Sequence, residues 1–280
     1  MAEALEHFLL KACSVVKVTL REVRGSSPRE AGAALFVSGE GLYGTIGGGQ
    51  LEYIAIDEAR RMLSRGEVEK QMAVPLGPEI GQCCGGAVKL SFCLLDENRK
   101  SQEIAHEQDY RQSLPHIYIF GAGHVGRALA RALYPLPVRP ILVDSRAGEL
   151  ALADVPVEQH LTALPEALVR KAPPASIFLI LTHDHALDFL LAQEALSRAD
   201  ASYVGMIGSK SKRATFSHWL KRQGPVAARD RLDRLVCPIG ARQGLRDKRP
   251  EVIAAMVAAE LLTLLLMPQG AGQGHAQMAK

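Results

Sequence analysis

The strongest constraint on the fold is a change of rhythm near His116. From there the sequence alternates between short, almost unbroken apolar runs and longer amphipathic stretches. His116–Phe120, Pro140–Val143, Ile177–Leu181 and Tyr203–Ile207 read as strands, and His124–Tyr134, Pro165–Lys171, Leu187–Ser197 and Ala214–Gln223 as helices between and after them. Two of the strands, His-Ile-Tyr-Ile-Phe and Ile-Phe-Leu-Ile-Leu, lack the polar alternation of a half-exposed sheet. Both of their faces must therefore be covered. Strand–helix–strand repeats of this kind pack as a parallel sheet with helices on either side, so a Rossmann-like doubly wound domain is expected over residues 115–267, closed by a helix at Glu251–Leu266.

Upstream the rhythm differs. Apolar alternation predicts strands at Val15–Val23, Ala34–Val37, Leu42–Ile46 and Val88–Leu94, with a helix over Gln50–Ser64. Residues 1–96 are thus expected to form an N-terminal mixed α+β domain, and the whole chain falls in the α/β class. The polar stretch 97–114 reads as a linker, and the Gly- and Gln-rich residues 268–280 as a disordered tail. Two domains also suit a length of 280 residues.

Charge and cysteine usage narrow the function classes. The 33 basic and 30 acidic residues leave a net charge of only +3, too little to recruit a polyanion, so no nucleic-acid partner is expected. The longest apolar run, Val252 to Met267, is shorter than the roughly 20 residues of a bilayer span and carries Glu260, which predicts a buried helix and no membrane partner. The N-terminal residues carry acids where an export signal carries a basic patch. Cysteines at 13, 83, 84, 93 and 237 are odd in number and two are adjacent, the usage of a reduced, cytoplasmic protein.

In the second half, Gly121-Ala122-Gly123-His124-Val125-Gly126 links a strand to a helix, with Asp144 closing the next strand about 20 residues on. Glycines at 121, 123 and 126 let backbone approach a phosphate at a helix N-terminus, and Asp144 stands where an acid meets a ribose hydroxyl. Arg146 is placed to tolerate a further phosphate, so NAD(P) and a pterin phosphate are both open. Thr182-His183-Asp184-His185, with Asp188 a turn later, can hold a metal or cap the following helix; the cap is the favoured reading. Ser209-Lys210-Ser211-Lys212-Arg213 opens another helix, where the basic residues either assist an anion or form a solvated face.

The first half carries three loop motifs. Arg24-Gly25-Ser26-Ser27-Pro28-Arg29 places two hydroxyls and two guanidiniums together. Gly44-Thr45-Ile46-Gly47-Gly48-Gly49 ends at a helix, so its glycine amides suit an anion or simply make a tight loop. Gly81-Gln82-Cys83-Cys84-Gly85-Gly86 presents vicinal thiols between glycines, a setting for soft-metal ligation or sulfur chemistry, whereas Cys13 and Cys93 lie in apolar segments and read as buried structural thiols. Cys237-Pro238-Ile239-Gly240 reads as a further candidate or as an ordinary turn.

Taken together and in this order, these motifs resemble the XdhC/CoxI family over about Val15 to Leu266. The resemblance implies a molybdenum cofactor-binding chaperone rather than an enzyme. Such a protein guards molybdopterin-bound molybdenum during sulfuration by a cysteine desulfurase and inserts it into xanthine dehydrogenase, in purine catabolism. It implies as partners the molybdenum-binding subunit of that enzyme, the desulfurase and the molybdenum cofactor biosynthesis proteins. The family's cysteine before Gly-Gly falls on Cys84, a candidate metal ligand, with Cys83 and Gly85 beside it; its glycine-rich loop falls on Gly47, Gly48 and Gly49, and its dinucleotide-type turn on Gly121, Gly123 and Gly126. The alternative left by the residues themselves is an NAD(P)-dependent oxidoreductase using the glycine turn and Asp144, against which the first domain offers no proton donor beside a hydride acceptor. A homodimer is expected in either case.

Overall fold

A computed structural model describes residues 2–77, 85–240 and 247–266, with side chains from residue 5 onward. The chain divides into two compact units, one ending at Arg111 and the other beginning at Gln112.

Unit 1 is built on a five-stranded antiparallel sheet. In chain order its elements are α1 (Ala2–Lys11), β1 (Val15–Arg24), β2 (Ala34–Ser38), β3 (Leu42–Gly44), α2 (Gly49–Arg65), β4 (Glu69–Leu76), β5 (Gly86–Leu95) and α3 (Glu97–Ser113), and the strand order is β3-β2-β1-β5-β4. Leu51, Ala55, Ala59 and Met62 recur at helical spacing along α2. They bury against Val16, Val18 and Leu20 of β1 and Val88, Leu90 and Phe92 of β5. A second cluster joins Leu5 and Leu9 of α1 to Val15, Phe36 and Leu95.

β4 escapes the apolar pattern because it is an edge strand: only Val74 and Leu76 of it are buried, and Pro75 is tolerated where no outer neighbour needs its missing amide. The polar stretch 97–114 is likewise not a linker but helix α3. Its hold on the sheet is mostly polar, which is why no apolar face is legible. Lys17 of β1 pairs with Glu103 at 2.6 Å, and buried Lys100 reaches the Ala12 carbonyl at 3.0 Å while pairing with Glu97 at 2.9 Å. Ile104 supplies the apolar contact.

Unit 2 is the expected parallel sheet. Its strands β6 (His116–Phe120), β7 (Arg139–Asp144), β8 (Glu158–Leu161), β9 (Ile177–Ile180), β10 (Tyr203–Met206) and β11 (Leu235–Val236) run in the order β11-β10-β9-β6-β7-β8. Interleaved are α4 (His124–Leu133), α5 (Ala147–Ala151), α6 (Glu166–Lys171), α7 (His185–Ser197), α8 (Lys210–Gln223), α9 (Val226–Arg229) and α10 (Pro250–Leu266). Alternate residues of each central strand feed opposite cores. Tyr118, Phe120, Phe178 and Ile180 pack toward Leu191 of α7 and Phe216 of α8, and Ile117, Ile119, Ile177 and Leu179 toward Leu129 of α4 and Val257 of α10. The order in which the chain lays down its parallel strands reverses between β6 and β9, which opens a crevice at the carboxyl ends of those strands. Helix α10 is buried along one side only: Ala254, Val257, Ala258 and Leu261 face the core while Leu264 and Leu266 are exposed.

Candidate functional site

At the switch point the three glycines of the turn have different reasons to be glycine. A Cβ on Gly126 would lie 1.8 Å from the Gly121 carbonyl oxygen, and one on Gly121 (φ +115°) 2.3 Å from that of Leu181. Those two let α4 close onto the sheet. Gly123 is the N-cap of α4, with ordinary extended backbone, no side-chain cap, and nothing among the described residues within 4 Å of where a Cβ would lie. Its bare face is the one open to a ligand.

The peptide between them is fixed from both sides. The Ala122 amide donates to Asp144 Oδ2 at 2.7 Å, and the Ala122 carbonyl accepts from Arg127 at 2.6 Å, which also pairs with Glu149 at 2.6 Å. Asp144 is bound further by the Arg146 amide (2.9 Å) and by two guanidinium nitrogens of Arg146 (3.0 and 2.9 Å). Burial alone would raise the Asp144 carboxyl, but the guanidinium and the two amides outweigh it and hold the group below the usual aspartate value. The crevice over the turn is lined by Gly121, Asp144, Ser145, Thr182, His183 and Leu187.

Asp184 caps α7, accepting from the Ala186 amide at 2.7 Å, so the capping reading of that motif holds; His183 lines the crevice. Asp188 is fully buried. It accepts from the Thr182 amide (2.9 Å) and hydroxyl (2.8 Å) and receives the Lys212 ammonium, which also donates to the Ile207 carbonyl at 3.0 Å. Ser209 caps α8 through the Lys212 amide (3.2 Å), and Arg213 donates to the Leu235 carbonyl. Lys212 and Arg213 are therefore both engaged in bracing loops. Cys237, in a cis peptide with Pro238, is buried, and burial pushes its thiol up despite nearby Lys212 and Arg213. It is a structural thiol.

In unit 1 the loop motifs meet at one end of the sheet. Ser26 bridges to Gly85, a Cβ on Gly25 would lie 3.1 Å from the Gly86 Cα, and a Cβ on Gly47 would lie 2.7 Å from the Pro28 Cβ. The loops Gly25–Arg29, Gly44–Gly49 and Gly85–Gly86 thus form one cluster. Cys83 and Cys84, immediately before Gly85, lie outside the described residues. Within the cluster the Ser27 hydroxyl is buried and has no hydrogen-bond partner among the described residues.

Gly47, Gly48 and Gly49 have φ of +129°, +77° and +62°, a run that only glycine adopts without strain. Their amides are partly spoken for. Gly48 and Ile46 each donate to Glu52 at 2.9 Å, and Gly47 donates to the Thr45 hydroxyl at 3.1 Å, which in turn donates to Glu52. Glu52, three residues into α2, was missed by sequence reasoning; an acid in the first turn behind a glycine cap is the signal that could have found it. Burial raises its carboxyl, yet the hydroxyl and amides together hold it below the usual glutamate value. Helix α2 itself has no side-chain cap. The two thiols expected to be structural are not core residues: Cys13 is exposed, and Cys93 is half-buried with Arg99 at 2.7 Å from its sulfur.

An antiparallel-sheet unit bearing this loop cluster, joined in one chain to a doubly wound sheet with an open glycine turn, defines a two-unit protein containing a Rossmann domain. Residues 117–261 match the XdhC Rossmann domain and residues 10–72 the XdhC and CoxI family. The chain belongs to the XdhC family. Escherichia coli K12 YqeB, an uncharacterized protein, is 27% identical over a 282-residue alignment that covers 94% of this chain and 47% of YqeB. The chain spans about half the length of that relative. A solved chain from Bacillus halodurans described as a xanthine dehydrogenase shares the fold at 19% identity, with a TM-score of 0.75 over 97% of this chain and 98% of its own. Among the described residues no helix is long and apolar enough to cross a membrane.

Proposed function

We propose that the protein binds the molybdenum cofactor as cargo, shelters it while a cysteine desulfurase exchanges a terminal oxo ligand for sulfur, and delivers it to the molybdenum-binding subunit of xanthine dehydrogenase. It is loaded by the cofactor's biosynthetic proteins and does no chemistry of its own. The observation that carries the reading is the meeting of three loop motifs at one end of the unit 1 sheet, on the segment that leads directly from Cys84. A thiolate is a soft ligand suited to a molybdenum–sulfur centre. The Ser27 hydroxyl of the same cluster, buried and without a hydrogen-bond partner among the described residues, is the kind of donor that a polar cargo would satisfy. Taken by itself, the uncovered Gly123 of unit 2 is a surface that suits a phosphate. Family membership supports the client, and the description of the Bacillus halodurans relative fits it.

The test is chemical. Protein made in cells that synthesise molybdopterin and purified without oxygen is expected to release a fluorescent pterin on acid oxidation, close to one per chain. Cys84→Ala is expected to lose most of it while melting at the same temperature. Wild-type protein free of pterin and molybdenum refutes the proposal; full retention in the variant removes the thiolate's role.

A further inference from the structure

A dinucleotide fold grips an adenosine ribose by letting the acid at the end of its second strand accept from the ribose hydroxyls. In unit 2 that acid is Asp144, and its acceptor sites are used. Oδ1 takes the Arg146 amide (2.9 Å) and Nε (3.0 Å), and Oδ2 takes the Ala122 amide (2.7 Å) and Arg146 Nη2 (2.9 Å). Four donors fill a carboxylate that has about four lone-pair sites. The Asp144 side chain is only 3% exposed while that of Arg146 is 38% exposed, so a ligand arriving from solvent meets the guanidinium before the acid. A ribose hydroxyl would have to displace a bond between two ionised groups and offer in return one in which only the acceptor is charged. A 2′-phosphate fares no better. The Arg146 guanidinium is neutralised by Asp144 at 2.9 Å, and Glu149, itself paired with Arg127, lies 3.9 Å from another of its nitrogens, so the four groups together carry no net positive charge to offer.

We propose that Arg146 determines the specificity of this turn. It closes Asp144 to a ribose diol, so the turn accepts a ligand that presents a phosphate monoester to the open face of Gly123, as a pterin phosphate does, and rejects both NAD(H) and NADP(H). The proposal rests on reading the turn as a phosphate-binding surface. It goes further in naming what is kept out and by which residue.

The experiment titrates NADH and NADPH into the full-length protein, followed by nicotinamide fluorescence and calorimetry, for the wild type, Arg146→Ala and Arg146→Gln. Releasing Asp144 is expected to tighten NADH binding by about tenfold or more, the equivalent of about 1.4 kcal/mol. NADPH is expected to gain nothing, because the freed carboxylate repels its 2′-phosphate. Should the alanine variant fail to fold with its buried acid unpaired, the glutamine variant, which keeps one donor on Asp144, carries the measurement. Equal NADH affinity in the wild type and the folded variants, strong or undetectable, overturns the proposal, as does an equal gain for NADPH. A gain confined to NADH supports it even if the wild type yields no pterin, so this result is separable from failure of the cargo reading.

Discussion

Gly123→Ala and Gly126→Ala change the same turn by the same methyl group, and the structure assigns them opposite consequences. At Gly126 the new Cβ would lie 1.8 Å from the Gly121 carbonyl oxygen and 3.1 Å from a Leu181 methyl, so α4 must withdraw from β6 by more than an ångström. Overpacking of this kind costs about 1–3 kcal/mol, and the backbone obstacle here places the variant at the upper end. At Gly123 the Cβ meets nothing within 4 Å and φ is −66°, which alanine adopts freely. Losing a glycine N-cap costs a few tenths to about 1 kcal/mol, and the stiffer unfolded chain returns about 0.4–1 kcal/mol, so the net falls within about 0.5 kcal/mol of zero. The single tryptophan, Trp219, packs against the unit 2 core and reports urea unfolding of that unit. The expected result is a midpoint close to wild type for Gly123→Ala with much reduced cofactor content, and a lowered midpoint for Gly126→Ala. Equal midpoints would refute the distinction between a packing glycine and a ligand-facing one; unchanged cofactor content in Gly123→Ala would refute the open face as a binding surface.

Lys212→Met strands the fully buried Asp188 carboxylate with only the Thr182 donors, and removing one member of a buried pair costs roughly 3–5 kcal/mol; Trp219 fluorescence in urea measures it, with Asp188→Leu/Lys212→Met expected to recover much of the loss. Ser27→Ala removes a buried hydroxyl that has no partner among the described residues, so in cargo-free protein thermal melting is expected to show no loss, or a gain of up to about 1 kcal/mol, while cofactor retention drops. Asp144 has a folded pKa below its unfolded value. Its contribution to stability is therefore fully present above the unfolded aspartate value of about 3.9 and disappears as pH falls through the lower folded one. Urea midpoints of unit 2 between neutral pH and pH 3 should fall on acidification, and less steeply in Asp144→Asn.

What the sequence disclosed, and what it hid, follows from where burial sits. Strands such as Ile177–Ile180 are buried on both faces and announce themselves, and the glycine turn is legible because strand, glycines and helix follow one another in the chain. β4 and α3 were hidden since each is held by polar contacts at an edge: Glu58 of α2 with Lys70 at 2.6 Å, Lys17 with Glu103, and Lys100 with the Ala12 carbonyl. Partners of that kind lie 12 to 88 residues apart and leave no periodicity. The same limit affected the site. Asp144 and the basic residues of α8 were visible as residue types, but whether a charge is free for a ligand depends on what already binds it, and Arg146, Asp188 and the Leu235 carbonyl are all brought in by folding.

The two glycine loops share a device that explains which of their amides a ligand can use. A glycine-rich turn exposes amide donors that cost free energy if left unpaired, and each unit answers with an acid of its own: Glu52 takes the Ile46 and Gly48 amides, and Asp144 takes that of Ala122. The internal carboxylate fixes the turn before any ligand arrives, so binding need not supply the ordering. It also subtracts those amides from the binding surface. What is left in both places is the first turn of a helix whose cap residue, Gly48 or Gly123, has no side chain to fill it. Removing the internal acid should therefore loosen the turn without enlarging the anion site, because the amides it releases point at the acid's position and not at the helix mouth. Glu52→Gln, which keeps one acceptor oxygen, should preserve cofactor retention better than Glu52→Ala. If Glu52→Ala instead retains cofactor more tightly than the wild type, Glu52 competes with the cargo for the loop, and its role as the loop's brace is wrong.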